Sequence, residues 1–221
     1  MEINKYWKTA FYINTVLTKQ NVEYSIIKSY RALFFEDGNI DLVVPGDLSK
    51  FYETYLSQDF SLKDRDKLKA KYYERNKLMC TSRSGEHISI HLHTNVGWHD
   101  HEFFSYDKII NMSERKSFSG CEVILCKQEF EAEILFLHAF FEKHKFSRLD
   151  FEFIGEKDMR KFISYYLGVV DDIDWVKGEH SIPLLKLFGV WRRYYSKSKG
   201  VSIKNIFFHF MLLIRQMFQK G

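Results

Sequence analysis

The spacing of apolar residues in the first half of the chain predicts a helix followed by several short strands. Residues 5–19 carry apolar side chains at helical spacing, which indicates an amphipathic opening helix. Asp47 follows a Pro-Gly turn and is a suitable N-cap for a second helix that ends near Leu56. Short apolar runs bounded by turn residues predict strands at about 22–27, 40–44, 77–81 and 87–93. The last two runs flank Ser84-Gly85, so we expect them to form a β-hairpin.

After Cys126 the spacing becomes helical and remains so to the end of the chain. Helices are predicted near 128–145, 147–168, 181–196 and 201–219. We therefore expect an α+β protein, with a mixed β-sheet and helices in residues 1–126 and an α-helical domain in residues 127–221.

Composition places the chain among ordinary globular proteins. Of its 221 residues 45% are hydrophobic and 17% aromatic, which suffices for a packed core. The three cysteines lack C-x-x-C spacing and favour neither a disulfide framework nor a cysteine zinc site. The N-terminus does not resemble a signal peptide, and no apolar run has the length of a membrane span. These features predict a cytoplasmic protein.

Charge is distributed unevenly along the chain. Residues 186–220 contain eight Lys and Arg residues and no acidic residue, although the whole chain has a net charge of only +4. The last predicted helix combines this charge with an apolar stripe. Such a segment can contact an anionic membrane surface, RNA or a protein partner, so peripheral membrane association is one expectation. Packing of the helix onto the acidic remainder of the chain is the alternative.

The strand that begins at Asn39 is the first candidate for chemistry. Side chains alternate along a strand, so Asn39 and Asp41 share one face while Ile40 and Leu42 point to the core. A carboxylate near the start of a strand, on a polar face, suits a metal ion that also contacts a nucleotide.

Five short motifs then occur in a fixed order along the chain. They are Lys28-Ser29, Asn39-Ile40-Asp41-Leu42-Val43, Ile88-Ser89-Ile90-His91, the segment from Glu133 through His138 to Arg148-Leu149, and Asp172-Ile173-Asp174-Trp175. Their order resembles that of uncharacterised bacterial and archaeal proteins of the nucleotidyltransferase superfamily. The resemblance implies a nucleotidyltransferase-like mixed sheet with magnesium-binding carboxylates on adjacent strands.

The resemblance also implies a role for each matching residue. Asp41 would be the main Mg²⁺ ligand and the catalytic carboxylate, with Asn39 and Ser89 as weaker auxiliaries. In the family the positions of Asn39 and Ser89 carry acids. Two neutral residues should weaken a magnesium site considerably, because hard cations prefer charged oxygen ligands.

The remaining implied contacts concern the nucleotide. Lys28 and Ser29 would contact the triphosphate of an NTP, and His91 would contact a phosphate or the acceptor. The implied reaction is transfer of a nucleoside monophosphate to an unknown acceptor. Because the carboxylate motif is incomplete, an inactive protein that binds a nucleotide or a partner is the second hypothesis.

A histidine-rich segment supports a third hypothesis. It contains His87, His91, His93, His99 and His101. His91 and His93 share a strand face and could bind zinc or manganese together with Asp100, in a metal-dependent hydrolase. A polar strand face without a metal is the simpler interpretation. Helical His138 is expected to line an interdomain surface.

Overall fold

The N-terminal helix is confirmed over the predicted range. The computed structural model describes residues 4–30, 38–63, 77–98, 101–118, 120–143, 145–168 and 190. Helix α1 spans Lys5–Lys19, and the side chain of Asn4 accepts a hydrogen bond from the backbone N–H of Trp7 at 3.0 Å. This cap satisfies one of the free amides of the first turn. The apolar stripe of α1 packs on one face of the sheet.

The central sheet is mixed, as the sequence predicted. Its described strands are β1 (Ser25–Ile27), β2 (Asn39–Val43), β3 (Phe60–Leu62), β4 (Lys77–Ser82), β5 (Ser89–His93), β8 (Ser113–Phe118) and β9 (Cys121–Cys126). They lie in the order β3-β4-β5-β2-β1-β9-β8. Strands β6 (Val96–Trp98) and β7 (His101–Phe104) form a separate ribbon. The predicted hairpin is confirmed, because β4 and β5 pair antiparallel.

Strands β2 and β5 lie side by side at the centre of the sheet and run parallel. Ile40 and Leu42 are fully buried on the face that packs against α1. Val43 lies in the other hydrophobic cluster, with the helical half of the chain. The predicted alternation along Asn39–Val43 is therefore confirmed, and it leaves Asp41 on the same face as Val43.

Two shorter helices connect strands. Helix α2 spans Leu48–Tyr55, and the Asp47 side chain accepts a hydrogen bond from the backbone N–H of Lys50 at 2.9 Å, as predicted. Helix α3 spans Tyr106–Asn111.

The second half of the described chain is helical, but its helices are shorter than predicted. Helix α4 spans Gln128–Leu137 and continues as a π-helical segment over His138–Lys143. The prediction of a single helix at 147–168 is wrong. It is divided into α5 (Arg148–Ile154), α6 (Glu156–Phe162) and a π-helical segment (Ile163–Leu167). Gly155 adopts φ 78°, a left-handed value that interrupts the helix and that glycine reaches without steric cost.

One hydrophobic cluster joins the sheet to these helices. It contains Ile27 and Val43 from the sheet together with Phe136 and Phe140 from the helical half. The division at residue 126 stays a prediction. The helices predicted at 181–196 and 201–219 and the basic segment 186–220 lie outside the described residues, apart from Val190.

Within the described part of the chain, no helix combines the length and the apolar character that crossing a membrane requires.

Candidate functional site

Asp41 is the centre of a buried polar cluster. Its Oδ1 lies 3.0 Å from Nζ of Lys28, 2.8 Å from Nε2 of His93 and 3.6 Å from Nδ1 of His91. The Asp41 side chain is only 10% exposed. A carboxylate so deeply buried is stable only with compensating charges or hydrogen bonds, and this one has both.

The parallel pairing of β2 with β5 brings these residues together. Asn39 is opposite Ser89 and Asp41 is opposite His91 in the register. Nδ2 of Asn39 donates a hydrogen bond to Oδ2 of Asp41 at 3.2 Å. Thus four residues singled out by the sequence lie at adjacent positions on two neighbouring strands.

Lys28 reaches Asp41 from the turn that follows β1. Its backbone has φ 59°, in the left-handed region that favours glycine. This conformation costs a side-chain-bearing residue about 1 kcal/mol. In this conformation the Lys28 side chain forms the ion pair with Asp41 and neutralises a charge that burial would otherwise make very unfavourable.

Electrostatics fix the charge states of the cluster. Burial alone would raise the pKa of Asp41, but the charge of Lys28 and hydrogen bonds with His91 and His93 outweigh it and hold the pKa well below its usual range. Burial lowers the pKa of His93 to about 4 despite the neighbouring carboxylate. At neutral pH Asp41 is therefore ionised and the imidazole of His93 is neutral.

The cluster contains a set of possible metal ligands. One carboxylate oxygen of Asp41 and one ring nitrogen each of His91 and His93 lie within 4.8 Å of one another. A neutral imidazole can bind a metal through its free ring nitrogen. Two nitrogens and one oxygen suit Mn²⁺, Fe²⁺ or Zn²⁺ better than Mg²⁺, which prefers oxygen ligands.

The predicted residues divide into two groups. Lys28, Asn39, Asp41, Ser89 and His91 lie together, as described above. Ser29 does not point to Asp41, since its Oγ lies 3.4 Å from Oε1 of Glu131.

The histidine-rich segment does not form one site. His93 belongs to the Asp41 cluster, although the magnesium-based hypothesis did not include it. His87 instead contacts the rings of Tyr12 and Phe60, with centroid distances of 4.5 and 5.6 Å. His101 packs edge-on against Phe103. His99 and Asp100 lie outside the described residues.

A second ionic cluster faces the site from the helical half. Lys77 forms an ion pair with Glu142, whose Oε2 also lies 3.0 Å from Nδ1 of His138. Lys77 is opposite His93 in the β4–β5 register. A cavity of about 20 Å³, enough for roughly one water molecule, is lined by residues of both clusters. Lys28, Lys77, His93 and His138 contribute nitrogen groups to this cavity, whose remaining lining is largely apolar.

Glu131 is a buried carboxyl group that the sequence interpretation missed. It lies in the first turn of α4 and is 2% exposed. Burial raises its pKa to about 7, although hydrogen bonds from the backbone amides of Lys28, Tyr30 and Ser29 act in the opposite direction. A signal was present in the sequence. Glu131 precedes the buried Ile134 and Leu135 by three and four residues, so it occupies the apolar face of the helix.

Comparison with known proteins finds a likeness to solved structures. No protein-family model matches the chain, and no curated protein matches it significantly. A crystal structure described as that of an antigenic nucleotidyltransferase-like protein from Paracoccidioides brasiliensis is similar over 86% of this chain and 87% of that chain. The TM-score is 0.41 and the sequence identity 14%. A likeness at this level carries no argument about function, which depends on the geometry of the site.

Proposed function

We propose that the protein binds a nucleotide together with a divalent transition-metal ion at Asp41, His91 and His93, and transfers a nucleoside monophosphate to an acceptor. The observation that carries the proposal is the convergence of these three ligand groups within 4.8 Å. The motif order that resembles nucleotidyltransferases is the second support, because the positions it singles out on β2 and β5 are paired in register.

The chemistry of the ligand groups favours Mn²⁺ over Mg²⁺ in this proposal. When bound, such an ion would polarise the phosphoryl oxygens and stabilise the charge that develops during transfer. Asn39 would then orient Asp41 through the hydrogen bond to Oδ2, which is a supporting role.

Lys28 has a role of its own in the proposed reaction. Its ammonium group neutralises the Asp41 oxygen that lies nearest to both histidines. A divalent cation would compete with Lys28 for this oxygen. Lys28 would then be the cation that is available to contact a phosphate of the nucleotide.

The second candidate function is nucleotide binding without turnover, and the Lys28–Asp41 ion pair favours it. This pair already compensates the charge of Asp41 from within the chain. Asn39 and Ser89 supply no further negative charge. A protein of this kind would bind a nucleotide through Lys28 and neighbouring basic groups but would lack the charge needed to hold metal ions tightly.

An assay with α-labelled NTPs in the presence of Mn²⁺, Zn²⁺ or Mg²⁺ tests the proposal. We expect incorporation of label into an acceptor in a lysate that is strongest with Mn²⁺ and abolished by Asp41→Asn. The exposed Asp107→Asn is the matched control and should keep activity.

Calorimetry separates the alternatives. Nucleotide binding without incorporation would favour the binding protein. Stoichiometric metal binding without nucleotide binding would favour the metal-dependent hydrolase. Failure of the protein to bind either ligand would contradict the proposal.

A further inference from the structure

A second cavity lies beside Glu131 and shares no lining residue with the small cavity at His93. Its volume is about 270 Å³. An apolar protein cavity of roughly 150 Å³ accommodates benzene, so this one has space for a bicyclic ring. The lining includes Trp7, Phe118, Tyr30, Phe153, Ser29 and Glu131.

Aromatic rings form much of the wall. Trp7 and Phe118 are in contact, with ring centroids 4.6 Å apart and an interplanar angle of 31°. Tyr30 and Phe153 form a second pair at 4.3 Å and 35°. Walls of this type bind flat aromatic molecules, through stacking or edge contacts and through burial of apolar surface.

Glu131 is the polar group that gives the cavity its chemical selectivity. Its Oε2 is buried and has no hydrogen-bond partner among the residues that the structure describes. A buried oxygen of this kind carries a free-energy penalty that a donor from a ligand would remove.

The other oxygen, Oε1, has partners, but their distances are long. Oγ of Ser29 and the backbone nitrogen of Tyr30 each lie 3.4 Å from Oε1, at the long end of the hydrogen-bond range. The backbone amides of Lys28 and Ser29 also bond to this carboxylate, but a carboxylate offers about four lone-pair sites, so the group can still accept from a ligand. Two parallel N–H donors match a carboxylate best, because the two bonds form at the same time.

Lys116 is the basic residue of the described lining, and it has an acidic partner of its own. Lys116 forms an ion pair with Glu114 at 3.1 Å, and both side chains are about 40% exposed. The cavity thus combines aromatic walls with a buried carboxyl acceptor.

We propose that this cavity binds a flat aromatic ring that carries an amidine-type edge, with two adjacent N–H groups donated to the carboxylate of Glu131. The guanine base of a nucleoside has such an edge, and so does a free arylamidine. The inference does not depend on metal binding or nucleotidyl transfer at Asp41.

The test is calorimetric titration of the full chain with benzamidine and guanosine. Inosine is the matched analogue of guanosine, because it lacks one N–H donor of the edge and has the same charge. Benzamide lacks one N–H donor of benzamidine and also its positive charge, so the two pairs together separate the hydrogen bond from the charge. We expect benzamidine to bind at least about tenfold more tightly than benzamide, since a site that hydrogen-bonds an N–H group discriminates against the analogue without it. Tighter binding of guanosine than of inosine would identify a nucleobase as the source, and binding of benzamidine alone would identify an arylamidine.

Variants connect the binding to this cavity. Glu131→Gln should weaken binding by at least about tenfold, whereas the exposed Glu129→Gln should leave it unchanged. Phe118→Ala is a second test that leaves Glu131 intact, and it should weaken binding through loss of the aromatic wall. Equal affinity for benzamidine and benzamide, unchanged affinity in both Glu131→Gln and Phe118→Ala, or no binding of either probe would overturn the proposal.

Discussion

Asp41 and Glu131 are two buried carboxyl groups that both contact the short segment Lys28–Tyr30, and they differ in how their charge is compensated. Asp41 has the ammonium group of Lys28 at 3.0 Å and two imidazoles nearby. Glu131 has backbone amides and the Ser29 hydroxyl. The pKa of Asp41 is held well below its usual range, and the pKa of Glu131 is raised to about 7.

The comparison shows that burial does not by itself determine the charge of a carboxyl group. A full positive charge in contact outweighs the loss of hydration at Asp41, whereas hydrogen bonds at the long end of the range do not outweigh it at Glu131. Asp41 is therefore ionised at neutral pH and suited to bind a cation. Glu131 is close to half-protonated at neutral pH and suited to accept N–H groups from a ligand that stabilises its charge.

Removal of the Lys28 charge should have the largest effect on stability, because it removes the cation that distinguishes Asp41 from Glu131. Lys28→Met keeps most of the side-chain volume but leaves Asp41 without its ammonium partner. We expect the free energy of unfolding to fall by about 3–5 kcal/mol, as for other broken buried ion pairs. Chemical denaturation measures the change.

The exposed Lys116–Glu114 pair provides the control for Lys28→Met. Lys116→Met should lower the free energy of unfolding by less than about 1 kcal/mol. Addition of Asp41→Asn to Lys28→Met should recover part of the loss, because it removes the uncompensated charge. An equal decrease in the free energy of unfolding for Lys28→Met and Lys116→Met would show that the buried ion pair does not stabilise the protein.

Glu131→Gln should change the pH dependence of stability. The pKa of Glu131 rises from the usual 4.5 to about 7 on folding, so the folded state binds more protons between these values. Its contribution is fully present below pH 4.5 and is lost as the pH rises through about 7. Over this pH range the contribution of Glu131 to the free energy of unfolding falls by about 3 kcal/mol.

The comparison of wild type with Glu131→Gln isolates this contribution from that of the histidines. The pKa values of His93 and His138 are lowered to about 4, so these groups add stability as the pH rises and oppose the effect of Glu131. The difference in unfolding free energy between wild type and Glu131→Gln should decrease by about 3 kcal/mol from pH 4.5 to about 8. A difference that is independent of pH would contradict the raised pKa.

Asn39→Asp should produce a smaller effect at the Asp41 cluster. It places a second carboxylate beside Oδ2 of Asp41 and should raise the affinity for Mn²⁺ about tenfold, because ligand charge tunes the binding of hard and borderline cations. Titration calorimetry measures the affinity. Asn111→Asp, at an exposed position, is the control. Weaker or unchanged binding in Asn39→Asp would argue against a cation site at Asp41.

The sequence predicted the local features from which the site is built. Alternation along Asn39–Val43 placed Asp41 on the face opposite Ile40 and Leu42, and the hairpin of β4 and β5 followed from turn residues between two apolar runs. These features depend on neighbours along the chain, so periodicity is sufficient to find them.

The features that the sequence analysis missed are of two kinds. Some depend on long-range contacts, and others have a local signal in the sequence. The parallel pairing of β2 with β5 places His91 opposite Asp41 and brings His93 within 2.8 Å of it. No local pattern specifies that pairing, because it joins segments separated by β3 and β4. By contrast, the break at Gly155 and the position of Glu131 on an apolar helical face have local signals in the sequence. The first is a glycine inside a helical pattern, and the second is an acid at helical spacing from apolar residues.

Titration of Mn²⁺ into the full chain, followed by the electron paramagnetic resonance of free Mn²⁺, tests the proposed metal site most directly. We expect one bound ion per chain, loss of binding in Asp41→Asn, weaker binding in His91→Ala and tighter binding in Lys28→Met, where the competing ammonium group is gone. His91 is the most exposed of the three ligand residues, so His91→Ala keeps the test valid if Asp41→Asn unfolds the protein. No bound Mn²⁺, or binding that is the same in wild type, His91→Ala and Asp41→Asn, would contradict a metal site at Asp41.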